Sequence, residues 1–170
     1  MRAVVTRVRS ASVEVDGKIV SSIGPGLLCL VGVTSTDTPK GKAAEYVCKK
    51  ILKTRFFAKA DQARASWDED VVERKGDILL VSQFTLYGRL KKGTKPDFSK
   101  AMPPTQAREC YDAFVELMRE SYEPTKVRDG VFGAMMNVAS INDGPVTFII
   151  DSDGDTASST ASLSSVDATV

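Results

Sequence analysis

A group of polar residues ends the most apolar segment in the middle of the chain. In the stretch SQFTLYG, the residues Ser82, Gln83 and Thr85 directly follow the apolar run ILLV. Burying hydroxyl and amide groups costs free energy unless they are hydrogen-bonded, and the end of a strand leaves backbone N–H groups free for a ligand. The pattern indicates a candidate catalytic or binding site, although neighbouring backbone could equally satisfy these polar groups.

The chain contains no histidine, which restricts the chemistry of such a site. Ser-His-Asp and Cys-His nucleophile pairs, HExxH zinc sites and a histidine general base are all excluded. The three cysteines, Cys29, Cys48 and Cys110, are widely spaced in apolar surroundings and predict buried, reduced thiols. We expect no metal and no cofactor, so an enzyme with this sequence must activate its nucleophile in another way.

A basic segment follows the candidate site. The stretch GRLKKGTKPDFSK contains one acid, Asp97, and five cations: Arg89, Lys91, Lys92, Lys95 and Lys100. Such a loop could bind the phosphates of a nucleic acid, or it could simply be a solvated loop. All 23 Lys and Arg residues lie within residues 1–150, which hold 18 of the 22 acids, so this part carries +5. That excess permits an RNA partner without requiring one.

Alternating and continuous apolar runs predict the elements that position these residues. We expect strands over 2–9, 12–23, 27–33, 77–88, 131–140 and 145–151, with a hairpin turn at Asp16-Gly17. We expect one helix over about 39–53, with Pro39 in its first turn, and another from about Pro104 to before Pro124. The sum is a single strand-rich α/β domain.

The two ends of the chain differ in composition from a membrane anchor and from a folded domain, respectively. No run approaches the roughly 18 apolar residues that span a bilayer, and the N-terminal stretch alternates like a strand, so we expect a cytoplasmic protein without membrane contact. Residues 152–170 are rich in Ser, Asp and Thr and predict a disordered tail. The folded domain is therefore expected to cover residues 1–151.

Two further segments can be explained by local structure, and the residues alone do not decide whether they also have a function. The stretch NDGPVT, residues 142–147, is typical of a hairpin turn that runs into a strand at Pro145. In VFGAMMNVAS, the small residues Gly133 and Ala134 would let a flat group approach the backbone, but a bulge or a packing constraint explains them equally well.

Taken together and in order, these segments resemble the D-aminoacyl-tRNA deacylases. The matching pieces are MRAVVTRV, SQFTL, KKGTKPDF, FGAMM and NDGPVT, and they span residues 1–151. The resemblance implies an α/β domain whose mixed sheets form a barrel-like core with two main helices, and a homodimer with active sites at the interface. It also implies hydrolysis of the ester that links a D-amino acid, or glycine, to the terminal adenosine of tRNA.

The resemblance also implies roles for individual residues. Ser82, Gln83, Phe84 and Thr85 would line the aminoacyl end, and Gly144 and Pro145 would form a cis peptide that enters the partner subunit's site. Arg7 would support that segment. Phe132, Gly133, Ala134 and Met136 would form the adenine pocket, and the tRNA phosphates would be bound by Arg89, Lys91, Lys92 and Lys95. Met135, Asn137 and GTKP depart from residues common in the family.

The family's substrate suggests how a site without histidine could work. The 2′-hydroxyl beside the ester could assist water, while backbone N–H groups near Phe84 and Thr85 stabilise the oxyanion. Thr85 as a nucleophile is the competing mechanism. Two alternative functions remain open: a relative that acts on tRNA mischarged with L-alanine, and a non-catalytic module that binds the tRNA acceptor stem.

Overall fold

We describe the fold from a computed structural model that covers residues 1–59, 67–91 and 93–154. The strands are β1 (Arg2–Val15), β2 (Lys18–Ile23), β3 (Gly26–Gly32), β4 (Asp77–Ser82), β5 (Val127–Asp129) and β6 (Asn137–Asp151). The helices are α1 (Lys42–Lys53) and α2 (Pro104–Ser121), and two short 3₁₀ turns cover Phe84–Tyr87 and Pro124–Lys126. Lys92 and nearly all of the predicted tail, residues 155–170, lie outside the described residues.

The strands form one mixed sheet in the order β2-β1-β3-β4-β5, and β6 lies along β1. The pairs β1–β2, β1–β3 and β1–β6 are antiparallel, whereas β3–β4 and β4–β5 are parallel. The long strand β1 pairs with β3 through its first half and with β2 through its second half, so the sheet curves strongly. The predicted strand-rich α/β class with a barrel-like core and two main helices is confirmed.

Both helices pack their apolar faces against the sheet. Helix α1 buries Val47 and Ile51, and α2 buries Tyr111, Phe114 and Met118 at helical spacing. These side chains join buried residues of β1, β3 and β4 in the main hydrophobic core. Among the described residues, neither helix is long and apolar enough to cross a bilayer.

The parallel part of the sheet places two predicted site residues, Ser82 and Phe132, at one edge together with Thr34. Strands β3, β4 and β5 run in the same direction, so their carboxyl ends lie together. Thr34 lies just beyond β3, Ser82 ends β4, and Phe132 follows β5. Ligands of parallel sheets bind preferentially at this edge, because backbone groups and loops converge there.

Several sequence-based boundaries differ from the structure. The strand predicted over 77–88 ends at Ser82 and continues as the 3₁₀ turn Phe84–Tyr87, and the strand predicted over 131–140 begins only at Asn137. Helix α1 begins at Lys42 rather than near Pro39, because Lys40 has a positive φ of 51° and the Gly41 N–H donates to Thr38 O (3.0 Å) in a separate turn. The hairpin turn at Asp16-Gly17 is confirmed, with φ values of 50° and 75°.

The hairpin interpretation of NDGPVT is wrong. Strand β6 runs through this segment, and both of its halves pair with β1. Asn142 pairs with Val8 and Thr147 pairs with Thr6, so residues 143–146 of β6 all stand opposite the single residue Arg7. The segment is a β-bulge with four residues opposite one, and a sheet tolerates proline at such a position because no ladder donor is required there.

Candidate functional site

The turn after β4 presents free backbone donors at the edge of the sheet. Gln83 N–H donates to Val31 O (2.7 Å) and prolongs the contact with β3, after which Leu86 N–H donates to Gln83 O (3.3 Å). Because Leu86 is the first donor of the turn, the N–H groups of Phe84 and Thr85 have no backbone acceptor among the described residues. Two adjacent N–H groups therefore remain available to an oxygen atom of a ligand.

The Thr85 side chain has one hydrogen-bond partner in the described part of the chain. Gln83 Nε2 donates to Thr85 Oγ1 (2.5 Å), so the hydroxyl accepts from an amide and keeps its own proton for another acceptor. An amide is not a base, and both Thr85 and the neighbouring Phe84 are exposed. This arrangement orients the Thr85 hydroxyl but does not deprotonate it.

Arg2 is hydrogen-bonded to the same turn, a role that sequence reasoning did not assign. Its Nη1 donates to Leu86 O (2.8 Å), its Nε donates to Asp151 Oδ2 (2.8 Å), and its guanidinium lies 5.0 Å from the centre of the Tyr87 ring. Burial acts to raise the pKa of Asp151, but the hydrogen bonds from Arg2 and from the Asp153 N–H outweigh it and lower that pKa. The only sequence signal was that Arg2 belongs to the matching stretch MRAVVTRV.

Phe98 packs beside the turn and explains why glycine follows it. The rings of Phe84 and Phe98 meet edge to face with their centres 5.0 Å apart. A Cβ atom on Gly88 would lie 2.9 Å from Phe98 Cε1 and 2.9 Å from Thr85 O, closer than carbon atoms pack. Gly88 therefore lets the end of the basic loop approach the turn.

The basic loop is partly neutralised by its own acid. Arg89 and Asp97 exchange two backbone hydrogen bonds (2.8 and 2.9 Å), and Arg89 Nη2 also pairs with Asp97 Oδ2 (3.0 Å). Lys91 pairs with the same carboxylate, and this contact is the main reason why the pKa of Asp97 is lowered. Lys95 has no ion pair within the described residues, so it is the more available cation for a phosphate.

Phe132 lies partly buried at the start of the segment matched to an adenine pocket. Its ring centre is 5.7 Å from that of Tyr111 and 4.9 Å from the guanidinium of Arg108, which also donates to Phe132 O (3.1 Å). Gly133 has a φ of 78°, a conformation that favours glycine. Ala134 lies in the same turn, since its N–H donates to Val131 O (3.2 Å).

The two methionines of this segment differ in exposure. Met136 is partly buried and packs against the second core cluster around Val13, whereas Met135 is 93% exposed. Met135 is therefore more accessible to a ligand than Met136, although the family resemblance implies Met136 for the adenine pocket.

Arg7 is buried beneath the bulge of β6. Its Nη1 donates to Phe56 O (2.5 Å), and its Nε donates to Asp143 O (3.2 Å) and lies 3.0 Å from Asp143 Oδ2. The following Gly144–Pro145 peptide bond is cis, as the resemblance implies, and both residues are exposed. Arg7 thus contacts the residue that precedes Gly144 within its own chain.

One protomer does not bring Gly144 and Pro145 to Thr85. Arg7, beside the bulge, pairs with Leu27 at the start of β3, whereas Gln83 is bonded to Val31 near the end of β3. Four residues of strand separate these positions, about 13 Å along β3. The two halves of the predicted site therefore lie toward opposite ends of the sheet.

The three cysteines take no part in this site. Cys29, Cys48 and Cys110 are free and buried, as expected from the sequence. Burial raises the pKa of all three thiols, which disfavours the thiolate that a nucleophile needs.

Comparison with known proteins gives a consistent result. A family model described as D-Tyr-tRNA(Tyr) deacylase matches residues 4–151. The D-aminoacyl-tRNA deacylase of Dictyostelium discoideum is 45% identical over 152 residues, which are 89% of this chain and 98% of that protein. The one from Yarrowia lipolytica is 47% identical over 156 residues, 91% of this chain and 99% of that protein.

A solved structure shares both sequence and fold. The structure titled c-Myc DNA Unwinding Element Binding Protein is 44% identical and superimposes with a TM-score of 0.82, covering 89% of this chain and 98% of that one.

Proposed function

Because the chain belongs to the D-aminoacyl-tRNA deacylase family, we propose that it hydrolyses aminoacyl-tRNA at the turn Phe84–Tyr87. The bond cleaved is the ester between a D-amino acid, or glycine, and the terminal adenosine of tRNA. The reaction recycles mischarged tRNA and is a form of chiral proofreading. The observation that carries the assignment of the site is the pair of N–H groups of Phe84 and Thr85, which have no backbone acceptor in the described part of the chain and lie at the edge where β3, β4 and β5 end.

The chemistry proposed for this site relies on positioning. The two N–H groups would hold the carbonyl oxygen of the ester and stabilise the negative charge that develops on it in the transition state. The neighbouring 2′-hydroxyl of the substrate would orient or activate water. Thr85 is not the nucleophile in this proposal, because its hydroxyl is hydrogen-bonded to the Gln83 amide, which cannot accept its proton as a base would.

We propose that the site is completed in a homodimer. In one protomer Gly144 and Pro145 are exposed and lie toward the end of the sheet opposite to Thr85, so they could reach a reacting group only in another subunit. Strand β6 also exposes several large apolar side chains: Val138, Ile141, Phe148 and Ile149. A long apolar edge strand is a surface that pairs readily with another chain.

The tRNA would contact three groups of residues around the turn. The adenine would lie on the segment Phe132–Met136, whose Gly133 leaves its backbone accessible. Phosphates would bind to the basic loop. Lys95 would be more available to them than Arg89 and Lys91, because those two side chains form ion pairs with Asp97. Lys92 is included on sequence alone. We propose a cytoplasmic location, because aminoacyl-tRNA is used in translation there.

Rejection of L-aminoacyl-tRNA would be steric. A pocket that leaves space on one side of the α-carbon, with the main chain of Gly144 and Pro145 on the other, would tolerate many D side chains and exclude L side chains. Glycine has no side chain to exclude, so glycyl-tRNA should also be hydrolysed.

A deacylation assay with four substrates tests these proposals. We expect D-Tyr-tRNA and Gly-tRNA to be hydrolysed, and L-Tyr-tRNA and L-Ala-tRNA to be stable. Preferential hydrolysis of L-Ala-tRNA would instead assign the alternative specificity, and tRNA binding without any hydrolysis would assign a non-catalytic module. D-Tyr-tRNA that ends in 2′-deoxyadenosine should be hydrolysed far more slowly; equal rates would contradict assistance by the 2′-hydroxyl.

A further inference from the structure

A cleft of about 330 Å³ opens beside the turn, on the side of β3. Its lining includes Arg2, Thr34, Thr36, Tyr87, Arg89 and Lys100. Three of these side chains are cationic, and one acid, Asp153, lies at the same cleft. None of Ser82 to Thr85 belongs to its lining, so the cleft is separate from the proposed reaction centre.

Two polar atoms in the walls of this cleft have no hydrogen-bond partner among the described residues. These are the Tyr87 hydroxyl and Arg89 Nε, both shielded from solvent, and Tyr87 is 6% exposed. Burial raises the pKa of Tyr87, so its hydroxyl keeps its proton and can donate. Buried polar atoms are nearly always bonded in folded proteins, so unpartnered donors at a cleft indicate a missing acceptor.

The remaining lining also suits an anion. Lys100 has no ion pair in the described part of the chain. Arg2 and Arg89, by contrast, already form ion pairs with the carboxylates of Asp151 and Asp97, respectively. Thr34 directs its own hydroxyl to Lys100 O (2.8 Å), which fixes the backbone that carries Lys100 at the rim. Thr36 is exposed beside it, with a hydroxyl available to donate.

The cleft lies close to the proposed reaction centre. Tyr87 is two residues beyond Thr85 in the same 3₁₀ turn, a rise of about 4 Å. A group bound in the cleft would therefore be near a substrate whose ester lies on the N–H groups of Phe84 and Thr85. In an aminoacyl-tRNA, the anions nearest to the ester are the phosphodiesters of the single-stranded 3′ end.

We propose that this cleft is a phosphate subsite for the single-stranded 3′ end of tRNA, with Lys100, Arg89 and the Tyr87 hydroxyl as its donors. The proposal rests on the proposed function for the identity of the ligand. It adds Lys100 and the Tyr87 hydroxyl to the residues proposed to bind phosphate, whereas Arg89, at the start of the basic loop, lines the cleft as well. Phosphates of the acceptor duplex would contact the loop, and a phosphate next to the terminal adenosine would enter the cleft.

Binding of uncharged RNA hairpins by fluorescence anisotropy tests the proposal. One hairpin carries a single-stranded NCCA end and the other is blunt. Lys100→Gln should weaken binding of the NCCA hairpin on the order of tenfold at low salt and make its salt dependence shallower by about 0.7 in log–log slope. Binding of the blunt hairpin should be unchanged. Lys18→Gln, an exposed lysine in the β1–β2 hairpin, is the matched control and should change neither.

A second variant tests the cleft without removing any of its cations. Thr36→Glu keeps Lys100 but places a carboxylate at the rim, and it should weaken binding of the NCCA hairpin through repulsion. Equal losses for both hairpins would overturn the proposal, as would unchanged binding by both variants. Binding of inorganic phosphate that is lost in both variants, while both variants bind the hairpins as the wild type does, would assign the cleft to a free anion and also overturn it.

These outcomes are separable from the proposed function. The hairpins carry no ester, so they report binding alone. Failure of the wild-type protein to hydrolyse D-Tyr-tRNA would remove the proposed activity whatever the hairpins show, whereas normal hydrolysis with unaltered hairpin binding would remove only the phosphate subsite.

Discussion

Arg7 is the single residue of β1 that stands opposite residues 143–146 of β6, and its Nε lies 3.0 Å from the carboxylate of Asp143. The Arg7 side chain is 9% exposed, whereas that of Asp143 is 38% exposed. The buried guanidinium therefore depends on the carboxylate, on Asp143 O and on Phe56 O for its partners. The shape of the bulge is tied to the core through this one side chain.

Removing the charge of Asp143 tests that link. Asp143→Ala should lower the free energy of unfolding by about 1–2 kcal/mol, because a buried guanidinium loses a charged acceptor that is itself partly solvated. Chemical denaturation measures the change. Arg9→Gln is the control, since Arg9 is 75% exposed and 3.6 Å from the same carboxylate, and it should cost less than about 0.5 kcal/mol. Equal effects of the two variants would contradict the assigned role of Arg7.

The Thr85 hydroxyl is expected to orient substrate rather than attack it. Thr85→Val keeps the shape of the side chain and should reduce kcat for D-Tyr-tRNA by no more than about tenfold, the scale of a lost positioning hydrogen bond. Loss of a true nucleophile lowers kcat by roughly 10⁶-fold in the best-studied hydrolases. Single-turnover deacylation by a variant with an unchanged circular dichroism spectrum distinguishes the two. A decrease in kcat of more than about a thousandfold would instead support Thr85 as the nucleophile.

Gly88 is expected to be required for the geometry of the turn. In Gly88→Ala, the added Cβ would lie 2.9 Å from Thr85 O and from Phe98 Cε1, so the turn or the ring must move. We expect a loss of about 1–3 kcal/mol in the free energy of unfolding and a lower kcat for D-Tyr-tRNA. In Gly24→Ala the added Cβ meets its nearest atom, Asp77 Oδ2, at an ordinary 3.7 Å. That control should retain wild-type kcat, and a wild-type kcat for Gly88→Ala would refute the requirement.

The contact between Arg2 and Asp151 should make stability depend on acid pH. The folded-state pKa of Asp151 is lowered, so its stabilising contribution is present above the unfolded value of about 4 and is lost as the pH falls through the folded value. Asp151→Asn should therefore be less stable than wild type at pH 7, and the difference in the free energy of unfolding should shrink below pH about 4. Urea denaturation across this range measures it. A difference that is constant with pH would show that Asp151 acts without its charge.

The exposed face of β6 should mediate the proposed dimer. Ile149 is 68% exposed on β6 and Ile19 is 67% exposed on β2, so the two isoleucines form a matched pair. Ile149→Glu should yield a folded monomer with little activity, because a buried interface does not accommodate an unpaired carboxylate. Ile19→Glu should remain a dimer with wild-type activity. Light scattering after size exclusion measures the mass, and an active monomer would refute a site completed by the partner.

Local pattern was sufficient for much of the fold. The spacing of apolar residues predicted both helices and the paired strands, and Asp16-Gly17 predicted its hairpin because only a few residue types adopt positive φ at low cost. The short strand Val127–Asp129 was not predicted, because three residues are too few to show an alternation of apolar and polar side chains. Pattern also failed at NDGPVT, where turn-forming residues occur in a bulge, because a bulge and a hairpin demand similar backbone freedom.

The sequence by itself determined the absence of histidine chemistry, the strand-rich α/β class and the family, because each depends on which residues are present and in what order. Tertiary structure decided which of those residues meet. It brought Arg2 to Leu86 and Arg7 to Asp143, and it placed Gly144 and Pro145 toward the opposite end of the sheet from Thr85. These relationships follow from strand register and from the direction of β3, β4 and β5, which long-range pairing sets and which no local pattern encodes.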